Sequence, residues 1–323
     1  MMTDYSNSKF SPFLNPLCVA LDVDTAEQAM QIVHLLNPKK MPFKISHDIS
    51  SDKMTQQKLQ STFSNAIPNV NLNTVLNSNL AGGFKLGPRL LLKYGQSLIQ
   101  EIAQYAPVFV DCKFFDITST TVAAVRSSFE AGASVVTVHA LNGKECLQAL
   151  AKLEKELNQI RPFKILCVTI LTSWSQGSFT FPVSFKGEKR MVLENDSLVA
   201  STGQLNSYTK NSRSLTTTIL TTPISEQVLD LAQLVIESGL SGLVSSAEEL
   251  KSLTQLQSLT QSPLFFLTPG IRLPEDDTQD QARVMGPGQA MQAGSSCLVV
   301  GRPILQAQDP RGKAQQFLNQ IQQ

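Results

Sequence analysis

Short apolar runs alternate with amphipathic helical patterns along most of this chain. Helical periodicity follows these runs over residues 25–36, 90–104, 120–131, 143–157 and 288–293. Continuous apolar strands are typical of a parallel sheet that is covered on both faces. The runs that predict strands are residues 17–21, 84–87, 108–110, 134–139, 164–171, 242–244, 264–267 and 297–300.

The repeated strand–helix unit predicts an α/β protein with a (β/α)8 TIM barrel. A doubly wound open sheet is the structural alternative. The glycine pattern GxGxxG, which a dinucleotide-binding sheet carries after its first strand, does not occur there. We therefore expect a barrel.

Two stretches, at about residues 45–81 and about 174–222, break this rhythm. Both are rich in Ser, Thr and Asn and show little periodicity, which predicts two long polar surface insertions. A bare barrel needs roughly 250 residues or fewer, and this chain has 323. We assign the surplus to the insertions and expect a single barrel domain over residues 1–323.

Composition excludes several classes of protein. Charged residues make up 16% of the chain and the net charge is +1, so no basic field indicates nucleic-acid binding. No apolar run approaches the roughly 20 residues of a membrane span, and residues 1–10 show no signal-peptide pattern. The five cysteines are widely spaced without CxxC, which favours reduced thiols in a cytoplasmic protein over a zinc site.

The densest chemical signal is the segment VDCKFFDI at residues 110–117. Asp111 and Lys113 are two positions apart at a strand end, so alternation predicts that both point to one face. In a barrel that face is the carboxyl-terminal mouth, where active sites lie. An ammonium between carboxylates stays protonated and is suited to donating a proton. Asp116 falls just beyond the strand, and a simple ion pair at the strand end remains the alternative.

Other charged residues lie in similar places. Lys85 interrupts an apolar strand, where a charge is costly unless it is paired or functional, so we expect it to meet Asp111 at the mouth. Lys44 is a rival in a similar local context. Asp22 ends the first strand and is either a mouth carboxylate or a helix cap. His139 ends another strand, and we interpret it as a hydrogen-bonded structural histidine.

The last third of the chain suggests an anion site. TPGIR at residues 268–272 follows one strand, and GRPI at residues 301–304 follows the next. Glycine permits close backbone approach, and Pro303 suits the start of a short helix. Gln281 lies between the two segments and can donate hydrogen bonds. Since phosphate sites after the last two strands recur in this barrel, we expect a phosphorylated small molecule.

Together these segments resemble orotidine 5′-monophosphate decarboxylase of the bacterial type. The matching stretches occur in the family's order at residues 19–22, 84–87, 111–117, 168–173, 268–272 and 299–303. DxKxxDI is the most specific of them, and the likeness covers most of the chain outside the insertions. The resemblance implies conversion of orotidine 5′-monophosphate to uridine 5′-monophosphate and CO2 in pyrimidine biosynthesis. It further implies a cytoplasmic homodimer that uses no metal or other cofactor.

The resemblance also implies roles for the charged residues. Lys113 matches the lysine that protonates C6 of the pyrimidine, and Asp111 matches the carboxylate near the departing CO2. Lys85 matches the lysine that holds this charge array together. Asp116 matches an aspartate that reaches the partner subunit's site.

The substrate contacts come from the same resemblance. Asp22 matches a ribose contact, Thr172 a pyrimidine contact, and Ile117 and Thr120 accompany Asp116 across the dimer. The residues that match the phosphate contacts are Arg272, Gln281, Gly301 and Arg302.

One departure and two alternatives remain. Thr118 stands where the family usually has proline, and we expect this to loosen the loop that carries Asp116. A related barrel decarboxylase or aldolase, which acts on a phosphorylated sugar acid and commonly uses magnesium, shares the DxKxxD pattern. A non-catalytic nucleotide-binding barrel is the other alternative, and the intact lysines and aspartates argue against it.

Overall fold

A closed barrel of eight parallel strands forms the centre of the protein. The computed structural model describes residues 11–41, 79–172, 174, 205–206, 219–220, 224–276 and 285–322. The barrel strands are β1 (Leu17–Ala20), β2 (Gly83–Leu86), β3 (Val108–Phe114), β4 (Ala133–His139), β5 (Lys164–Val168), β6 (Gly242–Val244), β7 (Phe265–Thr268) and β8 (Cys297–Val300). They follow one another in chain order, and β1 pairs with β8 to close the ring. The predicted (β/α)8 TIM barrel is confirmed, and the open sheet is excluded.

Helices follow the strands and cover the outside of the barrel. They are α1 (Ala26–Leu36), α2 (Pro88–Ile102), α3 (Thr118–Glu130), α4 (Gly143–Leu157), α5 (Ile224–Glu237), α6 (Leu250–Leu253), α7 (Pro287–Gln292), α8 (Arg302–Leu305) and α9 (Pro310–Ile321). Short 3-10 turns span Ala140–Asn142 and Thr254–Leu259. None of the helices in the described part of the chain has the length and apolar character needed to cross a membrane.

The apolar core has two layers, because successive strand residues point to opposite faces. One layer fills the space between strands and helices and includes Leu17 and Val19. The other fills the barrel interior and includes Cys18, Ala20 and Phe109. Apolar side chains of this inner layer reach the carboxyl ends of the strands, where they form the floor of the cavity described below.

Local sequence explains where the helices start and bend. Thr25 caps α1 by accepting a hydrogen bond from the backbone N–H of Gln28, whose side chain bonds back in a capping box. In α2, Gly95 has φ +56° and ψ −141°, so the helix is interrupted there. Only glycine adopts such backbone angles without strain.

The structure shifts several predicted boundaries. β3 continues to Phe114, four residues beyond its predicted end, while β5 ends at Val168 rather than at residue 171. α3 begins at Thr118, two residues before its predicted start. These differences arise where strands meet the loops at the mouth, since there tertiary contacts decide the backbone.

The two predicted insertions fall mostly outside the described residues. Residues 42–78, which include Lys44, are not described. Asn79, Leu80 and Ala81, at the predicted end of the first insertion, are buried. Asn37 exchanges two hydrogen bonds of 2.9 Å with the Ala81 backbone. The surface location of the insertions and the single domain over residues 1–323 stay predictions.

Candidate active site

A cavity of about 210 Å³ opens at the carboxyl ends of the barrel strands. Its floor consists of the apolar inner-layer residues, and its walls carry charge. The polar and charged residues that line it are Asp22, Lys85, Asp111, Lys113, Thr172, Arg272 and Arg302. Seven residues that sequence reasoning selected from distant segments therefore share one site.

Four of these side chains form a row of alternating charge. The ammonium Nζ of Lys85 lies 3.2 Å from Asp22 Oδ1 and 3.4 Å from Asp111 Oδ2. The ammonium Nζ of Lys113 lies 2.9 Å from Asp111 Oδ1. Asp22 follows β1, Lys85 belongs to β2, and the other two belong to β3. Since these strands are neighbours in the barrel, their carboxyl ends bring the charges together.

Burial and neighbouring charges have opposite effects on the pKa values of Lys85 and Asp111. Burial disfavours the charged form of Lys85, but the carboxylates of Asp111 and Asp22 outweigh it and raise the Lys85 pKa. Burial also disfavours the charged form of Asp111. The ammonium groups of Lys85 and Lys113, with hydrogen bonds from Lys113 and Thr137, nevertheless hold the Asp111 pKa below its usual range. Both groups are therefore ionised at neutral pH.

The strand that carries Asp111 and Lys113 is irregular at this point. Val110 pairs with Val136 and Phe114 pairs with Val138, so the register between β3 and β4 shifts in between. Lys113 has φ +50°, in the left-handed region that side chains other than glycine rarely adopt. The two side chains do lie together, but the reason predicted from regular strand alternation is wrong, because a bulge places them.

Thr137 is a residue that sequence reasoning missed. Its hydroxyl donates a hydrogen bond of 2.9 Å to Asp111 Oδ1 and accepts one of 2.9 Å from the Lys113 backbone N–H. Threonine is an ordinary residue in an apolar strand, so the sequence VVTVH gives little signal. A hydroxyl that faces a charged bulge is visible only once the strand pairing is known.

The loop after β3 does not line this cavity. Asp116, Ile117 and Thr120 are exposed and do not line it, and Ile117 is 70% exposed. Asn142 anchors the loop by donating to the Phe114 carbonyl at 2.8 Å and accepting from the Asp116 backbone N–H at 3.2 Å. Thr118, which replaces the proline usual in the family, is the first residue of α3. The Asn142 hydrogen bonds hold the segment just before it, and the expected loosening of the loop stays a prediction.

The predicted anion-binding residues lie on the opposite side of the mouth from the bulge, after β7 and β8. Arg272 and Arg302 line the cavity together with Gly270 and Gly301. Gly270 has φ +78°, which suits glycine. A Cβ on Gly301 would lie 3.4 Å from the Ala20 Cβ. Gln281 is outside the described residues.

His139 caps the turn that follows β4. Its Nδ1 accepts a hydrogen bond of 3.2 Å from the Leu141 backbone N–H, and it does not line the cavity. Burial, together with the positive charge of Lys113, lowers the His139 pKa. These contacts agree with the structural interpretation of this residue.

The fold and the site define a TIM-barrel protein with a charged cavity at the carboxyl ends of its strands, where active sites of this fold lie. Residues 79–317 match the family model described as "Orotidine 5'-phosphate decarboxylase / HUMPS family". The chain belongs to this family.

Individual relatives share this description. The chain is 37% identical over 227 residues to orotidine 5′-phosphate decarboxylase of Hydrogenovibrio crunogenus, a match that covers 70% of this chain and 79% of that protein. It is 30% identical over 295 residues to the enzyme of Legionella pneumophila (strain Lens), covering 91% of this chain and 93% of that protein. Because the match covers more than nine-tenths of both chains, the Legionella protein is about as long as this one.

A solved structure is similar as well. The crystal structure of orotidine 5′-phosphate decarboxylase from Lactobacillus acidophilus superposes with a TM-score of 0.59 and 25% sequence identity, covering 96% of this chain and 100% of that chain. The family resemblance expected from the sequence motifs is confirmed.

Proposed function

We propose that this chain is a carboxy-lyase that converts orotidine 5′-monophosphate to uridine 5′-monophosphate and CO2 in pyrimidine biosynthesis. The observation that carries the proposal is the row Asp22–Lys85–Asp111–Lys113 at the mouth of the barrel, with successive contacts of 3.2, 3.4 and 2.9 Å. Family membership and the names of the relatives support the same reaction.

Lys113 supplies the positive charge that the reaction needs. Loss of CO2 leaves an electron pair on C6, in the plane of the pyrimidine ring. A fixed ammonium beside that carbon stabilises the developing charge and then delivers the proton that completes the product. The Lys113 side chain is 38% exposed while its Nζ remains bound to Asp111, so it can reach a ligand in the cavity.

Asp111 and Lys85 keep this ammonium in position. Asp111 holds the Lys113 Nζ at 2.9 Å, and Lys85 supplies the opposing charge that keeps Asp111 ionised. In this proposal the substrate carboxylate lies next to Asp111 before CO2 leaves.

The rest of the cavity binds the nucleotide. Asp22 contacts the ribose, Thr172 the pyrimidine, and the phosphate is held by the residues after β7 and β8, namely Arg272, Gln281, Gly301 and Arg302. Binding energy from the phosphate, which lies far from C6, serves to hold the base against the charge array.

The proposed reaction uses no metal or other cofactor. Among the described residues, no group of three or more His, Cys, Asp or Glu side chains is arranged to hold a metal ion. The alternative is a decarboxylase or aldolase on a related barrel that acts on a phosphorylated sugar acid and commonly uses magnesium. The chelator experiment below distinguishes it from the proposed reaction.

A homodimer completes the proposal. Asp116, Ile117 and Thr120 are exposed and lie outside the cavity of their own chain, which supports a role at the partner subunit's site. Phe115 beside them is 63% exposed, and an exposed aromatic side chain next to such residues is typical of an interface. A cytoplasmic location is supported by the five cysteines, all of which are free.

Incubation with orotidine 5′-monophosphate in excess chelator tests the reaction directly. We expect loss of the orotate absorbance and release of one CO2 per nucleotide. Binding of the nucleotide without CO2 release would favour a non-catalytic barrel, and strict dependence on magnesium would favour the sugar-phosphate enzyme.

Mixing two inactive variants tests the shared site. Lys113→Ala and Asp116→Asn are each expected to be inactive as homodimers. A mixed dimer holds one site with both residues intact if Asp116 crosses to the partner, so remixing should restore up to about a quarter of wild-type activity. If Asp116 acts within its own subunit, the mixture stays inactive.

A further inference from the structure

The bulge between β3 and β4 leaves one residue of β4 opposite three residues of β3. Val110 pairs with Val136 and Phe114 pairs with Val138, so Thr137 faces residues 111–113. A bulge bends its strand and changes the direction of its side chains. Here the bulged residues include both Asp111 and Lys113.

The Thr137 hydroxyl occupies the gap that the bulge creates. A hydroxyl has one donor hydrogen and lone pairs that accept, and both functions are used here. It accepts from the Lys113 backbone N–H at 2.9 Å and donates to Asp111 Oδ1 at 2.9 Å. The same Oδ1 accepts from the Lys113 Nζ at 2.9 Å. A closed ring of hydrogen bonds thus joins these three residues.

The backbone of Lys113 needs such support. Its φ of +50° is a conformation that persists only where the surroundings determine it. Thr137 is fully buried, which makes its hydroxyl a fixed partner. Without that hydroxyl, the Lys113 backbone N–H would lose its hydrogen-bond acceptor, and Asp111 Oδ1 would lose one of its hydrogen-bond donors.

We propose that Thr137 is a positioning residue whose hydroxyl sets the Asp111 carboxylate and the Lys113 backbone, and thereby the place of the Lys113 ammonium. The inference rests on the proposed decarboxylation. It assigns Thr137 no contact with substrate, since Thr137 does not line the cavity. Its loss should therefore lower kcat much more than it changes KM.

Thr137→Val removes the hydroxyl and keeps the shape of the side chain, whereas Thr137→Ser keeps the hydroxyl. Thr169→Val is the matched control, because Thr169 is also fully buried and its hydroxyl has no hydrogen-bond partner among the described residues. We expect kcat to fall about 10- to 100-fold in Thr137→Val. We expect the KM of Thr137→Val to stay within about threefold of wild type. The kcat values of Thr137→Ser and Thr169→Val should also stay within about threefold of wild type.

Steady-state kinetics and thermal unfolding, both on the full chain, separate positioning from packing. The proposal is overturned if Thr137→Val keeps kcat within about threefold, or if Thr137→Ser loses as much activity as Thr137→Val. Should Thr137→Val not fold, Thr137→Ser and Thr137→Ala provide the same comparison, because they differ only in the hydroxyl. Equal kcat in that pair would also overturn the proposal.

The wild-type chain is assayed first, so that the two proposals fail separately. A wild-type chain without orotidine 5′-monophosphate turnover contradicts the proposed function. An active wild type with an equally active Thr137→Val contradicts only the role of Thr137.

Discussion

The ammonium of Lys85 lies 3.4 Å from Asp111 Oδ2, and the two side chains are only 13% and 15% exposed. Removing one partner of a buried ion pair so that the other charge is left without compensation costs about 3–5 kcal/mol. Asp111 keeps the Lys113 ammonium at 2.9 Å, so we expect Lys85→Met to lose most activity and to lower the free energy of unfolding by less than that, by about 2–3 kcal/mol. Urea unfolding followed by circular dichroism measures the loss.

Arg89→Met is the matched control for Lys85→Met, since it removes one positive charge from an exposed pair with Asp24. Exposed pairs contribute at most about 1 kcal/mol. Equal losses of stability in the two variants would contradict the buried, coupled character of the Lys85–Asp111 pair.

The same pair predicts a pH dependence of stability. The pKa of Asp111 lies below its ordinary value of 3.8 in the folded state, so its contribution is present above pH 3.8 and is lost as the pH falls through the folded pKa. The pKa of Lys85 lies above its ordinary 10.5, so its contribution is present below pH 10.5 and is lost at higher pH. The stability difference between wild type and Lys85→Met should be flat at neutral pH and shrink at both extremes. Urea titrations across the pH range test this, and a difference that peaked in acid would contradict it.

Lys113 predicts a separation of activity from stability. Lys113→Ala and Lys113→Gly should both abolish turnover while the fold survives, because the Lys113 side chain is 38% exposed and Asp111 keeps its contact with Lys85. At φ +50° glycine has no steric penalty, so the glycine variant should be about 1 kcal/mol more stable than the alanine variant. Thermal melts and activity assays on both variants check this. Near-normal kcat in either one would refute the role of Lys113.

Replacing Thr118 by proline should stabilise the fold. It is the first residue of α3, where a proline fits because the first N–H groups have no intrahelical partner. Ile117 before it has φ −57° and ψ 152°, the conformation that a residue preceding proline favours. Thr118→Pro should therefore gain about 0.4–1 kcal/mol, read as a higher Tm. Thr118→Ala removes the same side chain without fixing φ and should show no gain.

Substitution of Gly95 should lower the stability of the fold through backbone strain alone. No heavy atom lies within 4 Å of a Cβ built there, but its φ is +56°. Gly95→Ala should thus cost about 1–3 kcal/mol from backbone strain, without any steric clash. Gly286→Ala is the control, since Gly286 has φ −70° and a Cβ there would meet its nearest atom at 3.5 Å. Chemical denaturation of both variants gives the comparison, and equal stability would contradict the strain argument.

The sequence predicted the barrel well because each strand is a short apolar run and each helix a periodic one. It also placed Asp22, Lys85 and Asp111 at a common mouth, since the carboxyl ends of parallel strands share one edge. It did not predict the bulge at Lys113, because a bulge depends on how β3 pairs with β4. Thr137 was missed for the same reason: its hydroxyl matters only through that pairing.

The closing pair of strands, β1 and β8, has a consequence for how the protein is made. β1 and β3, which bracket the charge array, are synthesised early, whereas Arg272, Arg302 and the strand that pairs with β1 come from the last fifth of the chain. A nascent chain that still lacks β8 has an open barrel, and its cavity lacks Val299, Gly301 and Arg302. A cavity lined on all sides therefore forms only after the final strand has left the ribosome, so a prematurely terminated chain lacks a complete site.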